Sequence, residues 1–351
     1  MHTFRTLERQ IGMVPAGVVK QLSAIDVGRG REEALRRQHP EALKTLIEIG
    51  RIQSTEASNA IENITAPRKR IAALVAGKTT PANRGEEEIA GYRAVLDLIH
   101  SSAQDIPFRP SIVEQLHRDL YQFTGVPAGR WKTVENSITQ IEPDGSETVR
   151  FATVPAWETP AAMGELHESF ARARAGEHHP LLVIGCYVFD FLAIHPFPDG
   201  NGRMARLLTL LALYQAGYGV GRYISLERLI GEARQTYYDA LEAAGRGWHK
   251  GQHDIRAWLG YFLGILVAAY AELETRADVV RGGRGSKLAA VHQFVRTNVS
   301  DEFTIDELRQ GVPGVSDSYL NKTLATMRDQ GILESRAAGR GSRWRRLRID
   351  F

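Results

Sequence analysis

The sequence contains little cysteine, no long apolar run and almost no excess charge, and each shortage excludes a class of protein. Its 351 residues include a single cysteine, Cys186, which excludes an intrachain disulfide framework and any zinc site that needs two thiolates. The longest uncharged apolar stretch, residues 257–271, is shorter than the roughly 18 residues of a membrane span and therefore predicts a buried helix. The net charge of +3 is too small to indicate a nucleic-acid-binding protein from composition alone.

The remaining composition is typical of a globular protein with two or three domains. Hydrophobic residues make up 43% of the chain and charged residues 24%, which is close to the usual proportions. No apolar run of the signal-peptide type follows residues 1–5. We therefore expect a cytoplasmic protein with a reduced thiol and no membrane partner.

Helical patterns dominate the chain, so the predicted fold is mostly α. The spacing of apolar residues predicts helices at 41–62, 86–100, 110–123, 181–194 and 203–216. Residues 181–194 are apolar on nearly every side, as expected for a central helix that is buried all round.

Residues 132–154 depart from the helical pattern. They alternate in polarity, are rich in β-branched residues and contain the turn sequence Pro143-Asp144-Gly145, which predicts a β-hairpin with its tip near Asp144-Gly145. A lone hairpin is marginally stable in water, so we expect it to lie across the helical body.

A separate basic module is predicted at the C-terminus. Glycine and basic residues at 281–287 suggest a linker. Beyond it, helical segments near 287–298, 304–310 and 316–330 precede two short strands near 331–336 and 343–349. This order is typical of a winged helix-turn-helix domain. From Arg284 onward there are 12 basic and 8 acidic side chains, a net charge of +4, which leaves −1 for the rest of the chain.

The segment with the clearest chemistry is 195–206, HPFPDGNGRMAR. His195 follows the predicted central helix and has the ordinary pKa closest to neutrality, which suits a general base. The sequence Gly200-Asn201-Gly202 allows backbone amides to approach a ligand closely. A helix that starts near Arg203 would present its N-terminal amides to an anion, most naturally a phosphate chain.

Charged side chains in the same segment fit a nucleotide with its metal ion. Arg203 and Arg206 are three residues apart, so both guanidinium groups could face one anion. Asp199 offers a hard oxygen ligand of the kind that suits Mg²⁺ on a diphosphate.

This segment resembles the Fic family signature H-x-F-x-[DE]-G-N-G-R-x-x-R at every specified position, and weaker similarity extends over roughly residues 110–245. The resemblance implies a mostly helical Fic (Fido) core with a β-hairpin flap. It also implies transfer of AMP from ATP to a Ser, Thr or Tyr hydroxyl of a target protein, with His195 as the base and Asp199 as the Mg²⁺ ligand. The implied ATP-binding residues are Gly200, Asn201, Gly202, Arg203, Met204, Ala205, Arg206, Tyr238 and Leu241.

The resemblance leaves several outcomes open. Gly202 and Arg206 favour AMP transfer over phosphate transfer, whereas UMP transfer, phosphocholine transfer and AMP removal are not distinguished by the motif. Relatives often carry an adenine-binding Asn seven residues beyond the tyrosine at position 238, and this chain has Gly245 there. Base selectivity is therefore less well determined than the phosphate site.

A second short motif, [ST]-x-x-x-E-[GN], is matched by residues 58–63, SNAIEN. Ser58 and Glu62 are four residues apart and therefore lie on one helical face. In Fic proteins this motif is inhibitory, and the resemblance implies that Glu62 pairs with Arg206, with Asn63 completing the motif. A carboxylate at this place would remove the contact between Arg206 and the γ-phosphate of ATP.

The resemblance also suggests partners and domain limits. The hairpin at 132–154 takes the place of the flap, on which an extended target segment would dock by strand addition. Homodimers are common among relatives. We expect a helical region at 1–109, the Fic domain with trailing helices at 110–280, and the linker with the winged helix at 281–351.

The C-terminal module leaves an alternative function open. Its predicted wing carries basic side chains interleaved with Trp344, which would suit a nucleic-acid backbone. The alternative is thus a DNA-binding regulator that uses the Fic body as a nucleotide sensor, although an intact His195 favours the enzyme. The basic residues concerned are Arg336, Arg340, Arg343, Arg345, Arg346 and Arg348.

Overall fold

The computed structural model describes residues 1–141, 147–280, 286–297, 302–312, 315–336 and 343–348. Helices make up most of this structure, as predicted. The helices are α1 (His2–Arg5), α2 (Leu7–Ile11), α3 (Ala16–Gln38), α4 (Pro40–Ile61), α5 (Arg68–Val75), α6 (Arg84–Ser102), α7 (Pro110–Leu120), α8 (Thr159–Arg174), α9 (Pro180–Ile194), α10 (Asn201–Gln215), α11 (Leu226–Glu232), α12 (Arg234–Gly245), α13 (Arg256–Val280), α14 (Ser286–Thr297), α15 (Ile305–Gly311) and α16 (Asp317–Asp329). Short 3₁₀ turns occur at Val220–Arg222 and Trp248–Lys250.

Helix α9 forms the centre of the main body. Pro180 occupies its first turn, where a missing N–H costs nothing, and every residue from Leu181 to Ile194 is buried. Helices α8, α10 and α13 pack around it. The predicted central helix is therefore confirmed, and its C-terminal end delivers His195 to the site.

Helix α13 confirms the predicted buried apolar helix. By length and composition its segment Arg256–Ala277 could cross a membrane, but half of the apolar window is buried inside the fold. The helix packs on α3, α9, α11 and α12. Trp258, Leu263 and Leu266 from α13 are buried in the main hydrophobic core.

Helix α4 confirms the prediction for residues 41–62 and ends where the site begins. It packs on α6, α10 and α11. Glu62 is its C-cap, and Asn63 then adopts a left-handed conformation with φ of 61°. This geometry stops the helix and leaves the Glu62 side chain beside the start of α10.

The predicted hairpin is confirmed as strands β1 (Ser137–Ile141) and β2 (Glu147–Ala152). They pair antiparallel, with Ile138 opposite Phe151 and a bulge between Ile138 and Thr139. Strand β2 lies against α12, as expected for a hairpin that needs support. The predicted tip at Asp144-Gly145 lies outside the described residues.

The C-terminal part has its own core, which includes Val291, Leu324 and Trp344. The three predicted helices are present as α14, α15 and α16. The sheet contains a strand that we did not predict, and the order is β3–β5–β4. Its strands are β3 (Glu302–Thr304), β4 (Leu333–Ser335) and β5 (Arg343–Arg346). Helix α15 packs on α4, so this part contacts the helix that carries Glu62.

Candidate active site

His195 is held in a conformation and a protonation state that suit a base. It caps α9 in the left-handed region, with φ of 52°. Its Nδ1 lies 3.3 Å from the carbonyl oxygen of Leu192, and because a carbonyl can only accept, Nδ1 carries the proton. Burial, with a smaller contribution from the nearby Lys132 ammonium, lowers the pKa of His195 to about 4. The imidazole is therefore neutral at pH 7, with Nε2 as its accepting atom.

The side chain of Asn201 fixes the loop between α9 and α10 by two hydrogen bonds. Its Oδ1 accepts from the Phe197 N–H at 2.9 Å, and its Nδ2 donates to the Phe197 carbonyl at 2.7 Å. Helix α10 starts at Asn201, two residues earlier than predicted. The Asn201 side chain is thus committed to the loop, and the groups that remain for an anion are the N-terminal amides of the helix.

Gly200 is required by its backbone conformation, and Gly202 has a close neighbour. Gly200 has φ of 77°, and a Cβ there would lie 2.9 Å from the Tyr121 hydroxyl. A Cβ on Gly202 would overlap the Glu62 carboxylate. A carboxylate oxygen therefore lies directly against the first turn of α10, where the helix dipole favours negative charge.

Asp199 is the exposed carboxylate of the site, with a side-chain exposure of 71%. Burial alone would raise its pKa, but hydrogen bonds from the Tyr121 hydroxyl and the Gly200 N–H outweigh this and lower the pKa. Tyr121 donates to Oδ2 at 2.8 Å. His117 accepts from the Gly129 N–H at Nδ1, so its Nε2 donates to the Asp199 carbonyl at 3.0 Å. Helix α7 thereby fixes both the backbone and the side chain of Asp199.

A magnesium ion fits this carboxylate only together with a nucleotide. Within the described parts of the chain, no group of three His, Cys, Asp or Glu side chains could hold a metal ion. Mg²⁺ is commonly bound by one or two carboxylates, substrate phosphates and water. A single exposed, ionised Asp199 beside a phosphate-binding helix end matches that pattern.

Arg203 does not take the place that the sequence suggested. Its side chain is 1% exposed, donates to Glu88 Oε2 and to the Tyr121 hydroxyl at 2.7 Å each, and lies 5.2 Å from the Tyr121 ring centre. The expectation that both arginines face one anion fails, because Glu88 on α6 binds the Arg203 guanidinium inside the fold. Arg203 instead supports Tyr121 and Asp199.

Arg206 lies within reach of the α10 N-terminus but is occupied by α4. It donates to the Ser58 hydroxyl, the Ser58 carbonyl and Glu62 Oε1, at 2.8 Å each. Its side chain is buried, whereas that of Glu62 is 35% exposed. The pairing between Glu62 and Arg206 that the resemblance implied is therefore present in the structure.

The other residues predicted to bind the nucleotide differ in how deeply they are buried. Tyr238 is half-buried, with the guanidinium groups of Arg150 and Arg234 6.0 and 5.7 Å from its ring centre. Leu241 is also half-buried and packs on the core. Met204 and Ala205 are buried in the core.

Some arginines of the C-terminal module are engaged within the protein. Arg345 stands opposite Glu302 and Glu334 in the sheet. Arg336 lies 3.8 and 3.7 Å from the same two carboxylates, and Arg346 donates to carbonyls at the end of α14. Arg340 lies outside the described residues. These contacts reduce the positive charge available to a nucleic acid.

Comparison with known proteins places this site in a recognised domain. Residues 107–213 match the model of the Fic/DOC family. A protein adenylyltransferase fic-1 from Caenorhabditis briggsae is 27% identical over 293 residues, covering 78% of this chain and 52% of the relative. A protein adenylyltransferase Fic from Nematostella vectensis is 24% identical and covers 62% and 48%. The chain thus spans about half the length of the curated relatives it matches.

Solved structures show the same fold. A Fic family protein from Desulfovibrio desulfuricans matches 95% of this chain and 97% of its own, with a TM-score of 0.62 and 21% identity. A Fic domain containing signaling protein from Bacteroides thetaiotaomicron covers 77% and 99%, with a TM-score of 0.59 and 22% identity. At these identities the likeness concerns the fold alone.

Proposed function

The chain contains a Fic domain, matched over residues 107–213, and from this premise we propose that it is a self-inhibited protein adenylyltransferase. It transfers AMP from ATP to the hydroxyl of a Ser, Thr or Tyr side chain. The observation that carries the proposal is a neutral imidazole, protonated at Nδ1, in the loop that leads to the N-terminus of α10, a helix that also carries a buried arginine. Relatives named as protein adenylyltransferases support the same reaction class.

The reaction uses His195 as the base. The target hydroxyl gives its proton to Nε2 while its oxygen forms a bond to the α-phosphorus of ATP. The bond from that phosphorus to the bridging oxygen breaks, and pyrophosphate leaves. Proton transfer by a positioned base contributes about 10²- to 10⁴-fold to such rates.

The start of α10 and Arg206 bind the triphosphate. Free amides at the helix end and the buried Arg206 guanidinium, once Glu62 has left it, stabilise negative charge without further reorganisation. Asp199 is the residue that would hold Mg²⁺, which supplies positive charge to the phosphates when bound. Tyr121 and His117 keep Asp199 in place.

Glu62 restrains the reaction by occupying the position of a phosphate. Its carboxylate pairs with Arg206 at 2.8 Å and lies against Gly202. ATP phosphates that approach the same amides meet a negative charge and find the guanidinium already engaged. Withdrawal of the Glu62 side chain from Arg206 would remove both obstacles at once.

The target segment binds along the hairpin. In the described residues this sheet has only strands β1 and β2. Because the Ala152 carbonyl at the end of β2 lies 2.6 Å from His249 Nε2, we place the target segment on the outer edge of β1, where it would form main-chain hydrogen bonds. Recognition of this kind sets the register of a target segment while requiring little of its sequence.

The experiment uses ATP labelled on the α- or the γ-phosphate. The Glu62→Gly variant is incubated with each label, alone and in a cell lysate, beside wild type and Glu62→Gly/His195→Ala. We expect protein labelling from α-labelled ATP only, stronger in Glu62→Gly and absent without His195. Transfer of the γ-label would indicate a kinase-like reaction, and absence of both labels would refute the proposal.

A further inference from the structure

Lys132 is a buried lysine with no role in the reaction proposed above. It lies between α7 and β1 and is 2% exposed. Burying an ammonium group is costly unless its donors are satisfied. Its Nζ donates to Asn136 Oδ1 at 2.7 Å, to the Thr153 hydroxyl at 2.8 Å and to the Ile194 carbonyl at 3.2 Å. All three donors of the ammonium group are therefore used.

Lys132 and Asn136 together bind four consecutive carbonyl groups around the base. The Lys132 side chain binds that of Ile194, and its backbone N–H binds that of Pro196 at 2.8 Å. Asn136 Nδ2 donates to the carbonyls of residues 195 and 197, at 3.4 and 2.9 Å. Carbonyls at a helix end have no partners within the helix. The base of the hairpin supplies these partners.

These bonds hold His195 in a conformation that it would not adopt unaided. A left-handed backbone costs a residue other than glycine about 1–2 kcal/mol, so the surroundings must enforce it. A cation at the C-terminal end of α9 also interacts favourably with the helix dipole. Lys132 supplies both the cation and the hydrogen bonds at this point.

The same side chain joins the two ends of the hairpin to the loop. Asn136 comes directly before β1, and Thr153 directly after β2. The Thr153 hydroxyl also bonds to Asn136 at 2.7 Å. Movement of either strand at its base would therefore pull on the carbonyl that precedes His195.

We propose that Lys132 is a positioning residue that fixes His195 and the hairpin relative to each other, so that a target hydroxyl held on the hairpin meets Nε2. This inference rests on the proposed function for its effect on rate, but the contacts themselves do not. A displacement of about 1 Å in such an arrangement can cost about 10²-fold in rate.

Because Lys132 is charged, the proposal predicts a dependence of the rate on pH. Burial lowers the pKa of Lys132 to about 8, and the Glu135 carboxylate opposes that shift. His195 faces the ammonium from the end of α9, and Glu62 and Asp199 face His195 in turn. Above about pH 8 the group loses its charge and one donor, so the rate should fall there.

The test compares Lys132→Met and Lys132→Arg with Lys250→Met, an exposed lysine of the Trp248–Lys250 turn, all in the Glu62→Gly background. We expect Lys132→Met to lower kcat about 10²-fold with little change in the KM for ATP. Lys132→Arg should recover much of kcat and lose the decline above about pH 8. Equal rates for Lys132→Met and Lys250→Met, or an unchanged alkaline decline in Lys132→Arg, would overturn the proposal.

A second readout separates this proposal from the proposed function and from a folding defect. Histidine titration by NMR in the full chain should show a higher pKa for His195 in Lys132→Met and no change in Lys250→Met. If Glu62→Gly transfers no AMP, the proposed function fails, and this titration still decides the role of Lys132. If Lys132→Met does not fold, Thr153→Val takes its place, because it removes one of the three hydrogen bonds of the Lys132 ammonium. We expect Thr153→Val to lower kcat by less than the loss expected for Lys132→Met and to keep the decline in rate above about pH 8. An unchanged kcat in Thr153→Val would count against the proposal.

Discussion

Removal of the Glu62 carboxylate should release the site, and the structure gives the scale of the effect. Glu62 accepts one hydrogen bond from the buried Arg206 at 2.8 Å. Hydrogen bonds to charged groups contribute about 1.5–3 kcal/mol, and the 35% exposure of Glu62 places this one near about 1.5 kcal/mol. That energy corresponds to about tenfold. Because Ser58 still holds the guanidinium, Glu62→Gly should leave Arg206 in place for ATP.

We therefore expect Glu62→Gly to raise kcat/KM for ATP by at least about tenfold. Initial rates of incorporation of α-labelled AMP into the protein itself measure it. Glu62→Gln keeps an accepting oxygen and loses the charge, so its rate should lie between those of wild type and Glu62→Gly. The matched control is Glu48→Gln, which removes an exposed carboxylate of the same helix that pairs with Arg51.

The result that would refute this reasoning is an equal rate in wild type and Glu62→Gly at subsaturating ATP. A comparable gain in Glu48→Gln would also contradict it, because the effect would then belong to α4 as a whole. Thermal unfolding of each variant shows whether a change in rate reflects a change in the folded fraction.

Three further predictions follow from the same contacts. Arg206→Ala, made in the Glu62→Gly background, should lower kcat/KM for ATP about tenfold or more, since a charge-assisted phosphate contact is lost. Steady-state kinetics measure this, and an unchanged kcat/KM would contradict the role of Arg206 in binding ATP. Because burial lowers the pKa of His195 to about 4, the rate should stay level from neutral pH to about pH 5 and fall only near the lowered pKa; a decline centred near the ordinary value of 6.5 in a pH–rate profile would contradict this. Glu88→Ala should lower the free energy of unfolding by about 2 kcal/mol, because the buried Arg203 loses a charge-assisted hydrogen bond of 2.7 Å and keeps only the more distant Asp199 carboxylate, at 3.7 Å. Urea denaturation measures it, and a loss under about 0.5 kcal/mol would show that Asp199 replaces Glu88.

The chemistry of the site was predictable where it lies in one contiguous segment. His195, Asp199, Gly200 and Gly202 all belong to the loop and helix start whose physics can be derived from residue types. The contact between Glu62 and Arg206 joins residues 144 positions apart. Only the resemblance to a known family, and no spacing rule, could suggest it.

Other parts of the site depended on contacts that no pattern encodes. The spacing of Arg203 and Arg206 placed them on one face, but a glutamate from α6 decides where Arg203 points. Lys132 and Asn136 bind backbone carbonyls. Because every residue has a carbonyl, the sequence does not indicate which residues are their partners. His117 on α7 and Tyr121, the C-cap of that helix, are four residues apart, and this spacing indicates that the two side chains lie on one side of the helix.

For the fold, too, local patterns were predictable and distant contacts were not. Long helices with strong apolar periodicity were predicted within a few residues, and so was the hairpin, because its alternation differs clearly from the helical period. Strand β3 was missed, since three residues are too few to show any period. Its pairing with β5 depends on residues about 40 positions away.

The most direct test of the central claim is intact-protein mass spectrometry of the full chain after incubation with ATP. For Glu62→Gly, the account predicts a mass increase equal to one AMP for each modified hydroxyl, reduced in wild type and absent in Glu62→Gly/His195→Ala. An increase equal to one phosphate, or an AMP adduct that persists without His195, would contradict it.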